Sequence, residues 1–396
     1  VINSLSFSEF MEQALYDPQH GYYASGRARI GKAGDFFTNV SVGKIYGKIL
    51  ALFFEELWKK MGRPKNFTVV EQGANDGRLA LDILEASKAS LDFFSAIRYS
   101  IVEPFSIYQK KQQETLKDQK NISWVQNLKT LPAFEGIHFS NELLDAFPID
   151  LLMWDGKEWL EKRVVTKGSV PDIAYSGASP LVHAMAPKYA ISGTDPYSEG
   201  SSWTIAPIEQ KELRAVAEKL PTTLAPGFLW EVRLGIRPWL EQLAMKLERG
   251  MILIADYGYA GPQRFAPYRA QGSMACYQDH RRYDNPLEEI GKRDITAHVD
   301  FTDLADQASN QCFEILGYTD QHHFLIGAAE IWLRTFEGKS LMPHEQKEFR
   351  LLQTLLHPET MGRAFQFLSL GKNLHLPSPL SGFHYQRPGV DYLFAT

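Results

Sequence analysis

The sequence predicts an α/β fold with a parallel sheet, and three observations carry the prediction. From residue 67 onward, short β-branched runs alternate with helical patterns, the arrangement of βαβ units with right-handed crossovers. Residues 67–79 read Phe-Thr-Val-Val-Glu-Gln-Gly-Ala-Asn-Asp-Gly-Arg-Leu: a buried strand ends in an acid, bends through glycines and enters a helix. Further on, Gly250-Met-Ile-Leu-Ile-Ala-Asp256 reads as another fully buried strand.

The elements follow in order. Residues 6–16 place Phe7, Phe10, Met11, Ala14 and Leu15 at helical spacing, with Ser6 or Ser8 as the cap. Tyr16-Asp-Pro-Gln-His-Gly-Tyr-Tyr23 precedes a glycine-rich loop from Gly26 to Gly34, which Asp35-Phe-Phe-Thr38 closes. An amphipathic helix at about 42–61 is stopped by Gly62 and Pro64. Strand 67–72 leads to helix 77–89, and strand 97–103 to helix 106–117; strands at 121–125 and 136–141 come next. The regularity breaks at 148, where the runs 149–154 and 158–165 flank Asp155-Gly156, the signal of a two-residue hairpin. Residues 166–205 are rich in Ser, Gly, Pro and Ala without a period, so 149–230 reads as an inserted subdomain with a mobile loop. Helical patterns return at 207–219 and 235–249, and a long polar segment covers 258–298. Helix 301–309, strands 311–318 and 322–328, and a helical tail over 330–371 complete the chain. The expected organisation is an N-terminal helical and lid segment (1–64), a first half of the core (65–148) and an inserted cap (149–230). A second half of the core (231–330) and a C-terminal helical extension (331–396) follow.

Bulk properties narrow the function classes. The 396 residues have ordinary globular composition. A net charge of −5 argues against nucleic-acid binding through a broad basic surface. The two cysteines, Cys276 and Cys312, fit no zinc spacing and no disulfide framework, which points to a reducing compartment. No stretch is apolar for the length of a bilayer span, and the N-terminal residues, with Glu9 and Glu12, lack the pattern of a signal peptide. The expected location is the cytoplasm of a bacterial-type cell, or the mitochondrial matrix if a targeting segment has been trimmed.

Several constellations carry candidate chemistry. The glycine turn lets a ligand approach the backbone, and the following helix aims free N–H groups at it. An ordinary strand–turn–helix crossover has the same outline. Gly73 and Gly77 are present, but Asn75 stands where the dinucleotide fingerprint has its middle glycine. Glu103, at the end of the next strand, is placed to accept hydrogen bonds from a ribose diol or is a plain strand-end carboxylate. Glu71 follows Val69-Val70 and needs a donor, from turn N–H groups or a ligand ammonium. Asn127 is either a contact for an adenine edge or a turn asparagine. Asn141-Glu142-Leu-Leu-Asp145 brings two acids and an amide to the substrate side of the crevice, or caps a helix. Asp294-Ile-Thr-Ala-His298-Val-Asp300 is a polar strand face running into a helix cap, or a set of acceptor-binding groups. His280, in a loop, is a candidate base. No metal is expected: the adjacent His322 and His323 would point to opposite faces of a strand. No Gly-Lys-Ser/Thr follows the first turn, which disfavours a phosphate-loop NTPase.

In this order the motifs resemble those of the MidA family of class I S-adenosylmethionine-dependent methyltransferases, relatives of a mitochondrial complex I assembly protein that methylates arginine. The resemblance runs through Leu15-Tyr-Asp-Pro-x-x-Gly-Tyr-Tyr23, Gly34-Asp-Phe-x-Thr38, Glu71-x-Gly-x-x-x-Gly77 and Val102-Glu103. It continues in Asn141-Glu-x-x-Asp-Ala-x-Pro148, Ala255-Asp-Tyr-Gly-Tyr259, Asp294-x-Thr-Ala-x-Val-Asp-Phe301, Met361-Gly-x-x-Phe365 and Gly382-Phe383. It implies a Rossmann-like seven-strand sheet whose last strand is antiparallel, with S-adenosylmethionine over the first glycine turn. Glu71, Gly73, Ala74, Asn75 and Gly77 would line the amino acid moiety. Glu103, beside Pro104, would bind the ribose, and Asn127 and Leu128 would sit at the adenine. Asn141 and Glu142 would face the reacting methyl, and Gly34, Asp35, Phe36 and Thr38 would act as a lid.

Methyl transfer needs an in-line nucleophile and the exclusion of water, and positioning supplies much of its acceleration. For an arginine acceptor, carboxylates clamp the guanidinium; Glu142, Asp145, Asp294 and Asp300 are the candidates. For a hydroxyl acceptor a base is needed, and His280 or His298 would serve. The expectation is an arginine methyltransferase acting on a protein partner, by family analogy a respiratory complex subunit, with a homodimer as one assembly. The rivals are a small-molecule O-methyltransferase and a cofactor-free assembly chaperone binding through 149–230. A nicotinamide-dependent dehydrogenase would require the tight Gly-x-Gly-x-x-Gly that is missing here.

Overall fold

A computed structural model describes residues 4–28, 38–165, 200–359 and 361–395. The segment expected to be a mobile loop falls largely, over 166–199, outside the described residues, as do Gly34, Asp35 and Phe36. The chain divides into two compact units. One comprises Val1–Phe36, Leu144–Trp239 and Pro262–His298; the other comprises Phe37–Leu143, Leu240–Gly261 and Val299–Thr396.

The second unit holds the main sheet. Its strand order is Glu314–Asp320, Phe365–Lys372, Leu247–Tyr259, Phe134–Asn141, Phe67–Gln72, Ile97–Val102, Ile122–Val125. An eighth strand, Val299–Asp300, pairs off this path with the end of Leu247–Tyr259, so the expected seven strands become eight. Phe365–Lys372 runs antiparallel to both of its neighbours, and the remaining pairs on the path are parallel. The chain moves outward from Phe67–Gln72 through two strands, then returns to the other side at Phe134–Asn141. That reversal makes a switch point, and the crevice lies at the carboxyl ends of these two strands. Glu71 pairs with Phe139 and Gln72 with Ser140, so Gly73 and Asn141 leave the sheet at neighbouring positions.

Helix Ile45–Lys60 buries Phe53, Phe54 and Leu57 against the sheet core. Phe324 stacks on Phe367 with centroids 3.9 Å apart and meets Phe53 and Phe383. Two expected elements change here. The strand expected at 322–328 is helix Gln321–Arg334, capped by Asp320, whose side chain accepts from His323 N. Its buried residues Phe324, Leu325, Ala328, Ala329 and Trp332 follow helical spacing, which decides the matter. His322 and His323 therefore do not lie on opposite strand faces. The second difference is the last strand, which lies inside the expected helical tail. Phe365–Gly371 is buried on both faces, so it carries no alternation by which to recognise it.

The first unit is antiparallel. Helix Phe7–Tyr16 starts in a capping box: Ser6 accepts from Glu9 N, and Glu9 accepts from Ser6 N. Its five-stranded sheet contains Ser4–Leu5, Trp159–Val165, Asp150–Trp154 and Leu229–Val232, with Ser202–Ala206 joined to Trp159–Val165. The hairpin at Asp155-Gly156 closes on Trp154 and Trp159, so its loop is four residues long, not two. Asp155 holds that loop by accepting from Lys157 N and Glu158 N, each at 2.7 Å. The polar segment after Tyr259 builds a three-stranded sheet from Ala275–Gln278, Arg281–Tyr283 and Asp294–Thr296. Among the described residues, no helix is long and apolar enough to cross a membrane.

Candidate functional site

The glycine turn has the backbone that its composition predicts. Gly73, Asn75 and Gly77 take φ of 83°, 44° and 80°. The last of these begins helix Arg78–Ser87, whose first N–H groups face the turn. Asn75 occupies the left-handed region that asparagine tolerates better than most residues, so it does here what a glycine would do. A Cβ on Gly77 would lie 3.3 Å from Gln112 Cα and 3.1 Å from Leu116 Cδ1, so the turn packs tightly on the end of helix Ser106–Thr115.

Glu71 is buried and has a donor from within the sheet. The phenol of Tyr99, on the adjacent strand, donates to Oε2 at 2.7 Å. Burial pushes the Glu71 carboxyl up to about 7, against the lowering effect of that bond. Glu103 is also buried and is raised to about 7 by desolvation. Its Oε1 accepts from Phe105 N at 3.0 Å and its Oε2 from Gln112 Nε2 at 3.0 Å. An ionised carboxylate offers about four lone-pair positions, so one remains on each oxygen, the number a vicinal diol can fill. Asn127 accepts from Thr130 N at 2.9 Å, the turn geometry that its sequence also allowed, and Leu128 is fully buried beside it.

At the end of Phe134–Asn141 the expected helix cap is absent: no helix follows, and Asn141-Glu142 begins an irregular turn. Glu142 has φ of 54°. A non-glycine residue in this region costs energy and is held there by its surroundings. Glu142 N donates to Ala255 O at 2.9 Å, and Leu143 N to Asp256 Oδ2 at 3.1 Å. Tyr46 Oη donates to Asn141 Oδ1 at 2.7 Å, and Asn141 Nδ2 donates to Glu142 Oε1 at 2.8 Å.

Residues 49–319 match the model of a family described as S-adenosyl-L-methionine-dependent methyltransferases. The chain belongs to this family. Among its relatives, a mitochondrial protein arginine methyltransferase NDUFAF7 homolog of Drosophila melanogaster is 27% identical, over 92% of this chain and 80% of that one. The mitochondrial protein arginine methyltransferase NDUFAF7 of Homo sapiens is 26% identical, over 97% of this chain and 82% of its own length. A Burkholderia thailandensis structure bound to S-adenosyl-homocysteine superposes with a TM-score of 0.78 at 24% identity, covering 97% of this chain and 91% of that one, and shares the fold.

The methyltransferase's own residues fit the cofactor that the family uses. Three left-handed positions, at alternate residues 73, 75 and 77, leave the turn open to close approach, and Glu103 keeps acceptor capacity for two hydroxyls. The remaining candidates divide between the units. Asp300 belongs to the second unit and caps helix Phe301–Ser309, its Oδ1 accepting from Thr302 N and Asp303 N. Thr38, in the same unit, is buried and exchanges hydrogen bonds with Ser41.

In the first unit, Asp294 is buried and accepts from Tyr23 Oη at 2.9 Å; Tyr23 in turn stacks on Tyr16. Asp145 is raised to about 6 by burial, opposed by the Arg233 guanidinium. Arg233 also donates to the carbonyls of Ala297 and His298. His298 keeps some exposure, yet desolvation of its ring and the positive charge of Arg269 hold it down at about 4. His280 sits at the exposed tip of a two-residue turn joining Gln278 to Arg281, where Asp279 and His280 have φ of 51° and 59°. That is the backbone of a type I′ hairpin, a structural reason for its place in the loop.

Sequence reasoning missed Tyr46, Tyr99, Gln112 and Asp256. Each acts through a partner distant in sequence, and only Tyr46, inside the apolar stripe of its helix, carried a signal as a polar tip on a core face.

Proposed function

We propose that this methyltransferase transfers a methyl group to the guanidinium of an arginine in a protein, and that Glu142 binds that guanidinium. The observation that carries the reading is the Asn141–Glu142 turn at the switch-point end of the sheet, with the Glu142 carboxylate fixed by Asn141. The names of the Drosophila and human relatives support the acceptor class. S-adenosylmethionine, when bound, supplies an electrophilic methyl group. Gly73 to Gly77 admit it, and Glu103 accepts from its ribose. Glu142 accepts two N–H bonds from the guanidinium and localises its lone pair on the attacking nitrogen. The new N–C bond forms as the S–C bond breaks, and the nitrogen then releases a proton to Glu142 or solvent.

Asp145 and Asp294 remain acceptor-side candidates on charge alone. A respiratory complex subunit is the acceptor that the family resemblance implies, and a mitochondrial matrix or bacterial cytoplasmic location belongs to the same reading. The decisive experiment incubates a partner pulldown with labelled S-adenosylmethionine and analyses the products by mass spectrometry. Label on a protein arginine is the expected result, and label on a small extractable molecule overturns it. Glu142→Gln should cut transfer at least about a hundredfold while S-adenosyl-homocysteine binding by calorimetry is unchanged. Full turnover by that variant removes Glu142 from the mechanism.

A further inference from the structure

Gln112 is fully buried on helix Ser106–Thr115, and its side chain bonds to the glycine turn, to Glu103 and to Trp124. Its Nε2 donates to Asn75 O at 2.9 Å and to Glu103 Oε2 at 3.0 Å, and its Oε1 accepts from Trp124 Nε1 at 3.0 Å. The assignment of the amide is unambiguous: indole N–H only donates, while a carbonyl and a carboxylate only accept. One side chain thus ties together the left-handed turn after Phe67–Gln72, the acid after Ile97–Val102 and the strand Ile122–Val125, three neighbours in the sheet.

A carboxylate free to rotate would present its lone pairs over a wide arc. Phe105 N fixes Oε1 and Gln112 Nε2 fixes Oε2, so the plane of the Glu103 carboxylate is set before any ligand arrives. Preorganisation of this kind lowers the ordering cost of binding. The same amide holds the Asn75 carbonyl, and with it the turn that a glycine usually provides.

We propose that Gln112 is a positioning residue for the cofactor, orienting Glu103 toward the ribose hydroxyls and holding the Asn75 turn. The proposal rests on the reading of Glu103 as the ribose acceptor. It is tested with S-adenosyl-homocysteine and its 2′-deoxy analogue, whose affinities are measured by calorimetry on the full chain. The ratio of the two affinities is the readout, because a merely structural role lowers both alike and leaves the ratio fixed. The native protein should prefer the hydroxylated ligand by about tenfold or more, the contribution of one hydrogen bond to a charged acceptor. Gln112→Met, similar in volume, should reduce that preference to about twofold while thermal melting confirms the fold. Gln112→Glu keeps an acceptor for Trp124 but sets a carboxylate against Glu103, and it should also lose the preference. This second variant decides the matter if the first fails to fold. Glu103→Gln separates the two readings: if it keeps the native ratio, the ribose assignment of Glu103 falls. If it loses the ratio while the Gln112 variants keep it, the positioning role of Gln112 falls.

Discussion

Tyr46 Oη donates to Asn141 Oδ1 across 2.7 Å, and through that amide a phenol on helix Ile45–Lys60 sets the direction of Glu142. The phenol is fully buried, and desolvation and then the nearby Glu142 charge hold its pKa well above the usual value, so it stays a donor at every working pH. With Oδ1 engaged by Tyr46, the Asn141 NH2 must face Glu142. Tyr46→Phe keeps the ring in the core and frees the amide to flip. Turnover should fall about five- to tenfold, the effect of one neutral hydrogen bond, with the cofactor dissociation constant unchanged. Steady-state kinetics beside calorimetry checks the split, and an equal loss in both would mean that Tyr46 serves the fold alone.

With Glu103 as the proposed ribose acceptor, cofactor binding should have a pH dependence of predictable sign. Burial raises its folded pKa to about 7, above the ordinary carboxylate range. A raised acid stabilises the fold while protonated, so its contribution is present at low pH and is lost as pH rises through about 7. Binding runs the other way, because only the ionised form can accept from both ribose hydroxyls. Affinity for S-adenosyl-homocysteine should therefore climb up to tenfold per pH unit toward neutrality and level off above it. Titration calorimetry from mildly acidic to mildly alkaline pH shows this, and Glu103→Gln should flatten the profile. A flat native profile would contradict the assignment.

Asp300 offers a clean separation of structure from chemistry. Its Oδ1 accepts from Thr302 N at 3.1 Å and Asp303 N at 3.2 Å, the bonds of an N-cap. Asp300→Ala should cost about 1 kcal/mol and lower the melting temperature by about 2 °C. Asp300→Ser should recover most of this, with turnover near native in both variants. Lost turnover in the stable serine variant would return Asp300 to the acceptor-binding set.

The legible parts of the molecule are those where local chemistry decides local structure. The turn at Gly73–Gly77 was readable because positive φ is scarce outside glycine and asparagine, and both residue types stand where the backbone needs them. Asp300 was readable as a cap, since the cap lies within three residues of its donors. Gln321–Arg334 misled because its apolar run suits either period, and only burial at Phe324, Leu325, Ala328 and Ala329 selects the helix. The donor to Glu71 was illegible for a different reason: Tyr99 reaches it from a neighbouring strand, through a register no sequence interval announces. Gln112 reads as one more polar residue on a polar helix until the three groups around it are in place.

The antiparallel strand Phe365–Lys372 lies between Leu247–Tyr259 and Glu314–Asp320, although it is the last of the three to be synthesised. On the ribosome, those two earlier strands emerge with no partner between them, each presenting an open row of amides and carbonyls. The sheet of the second unit thus cannot close until Phe365–Lys372 has left the exit tunnel. Until then the facing edges of Leu247–Tyr259 and Glu314–Asp320 stay unpaired, and a fragment ending before Phe365 would keep them open to pairing with other chains.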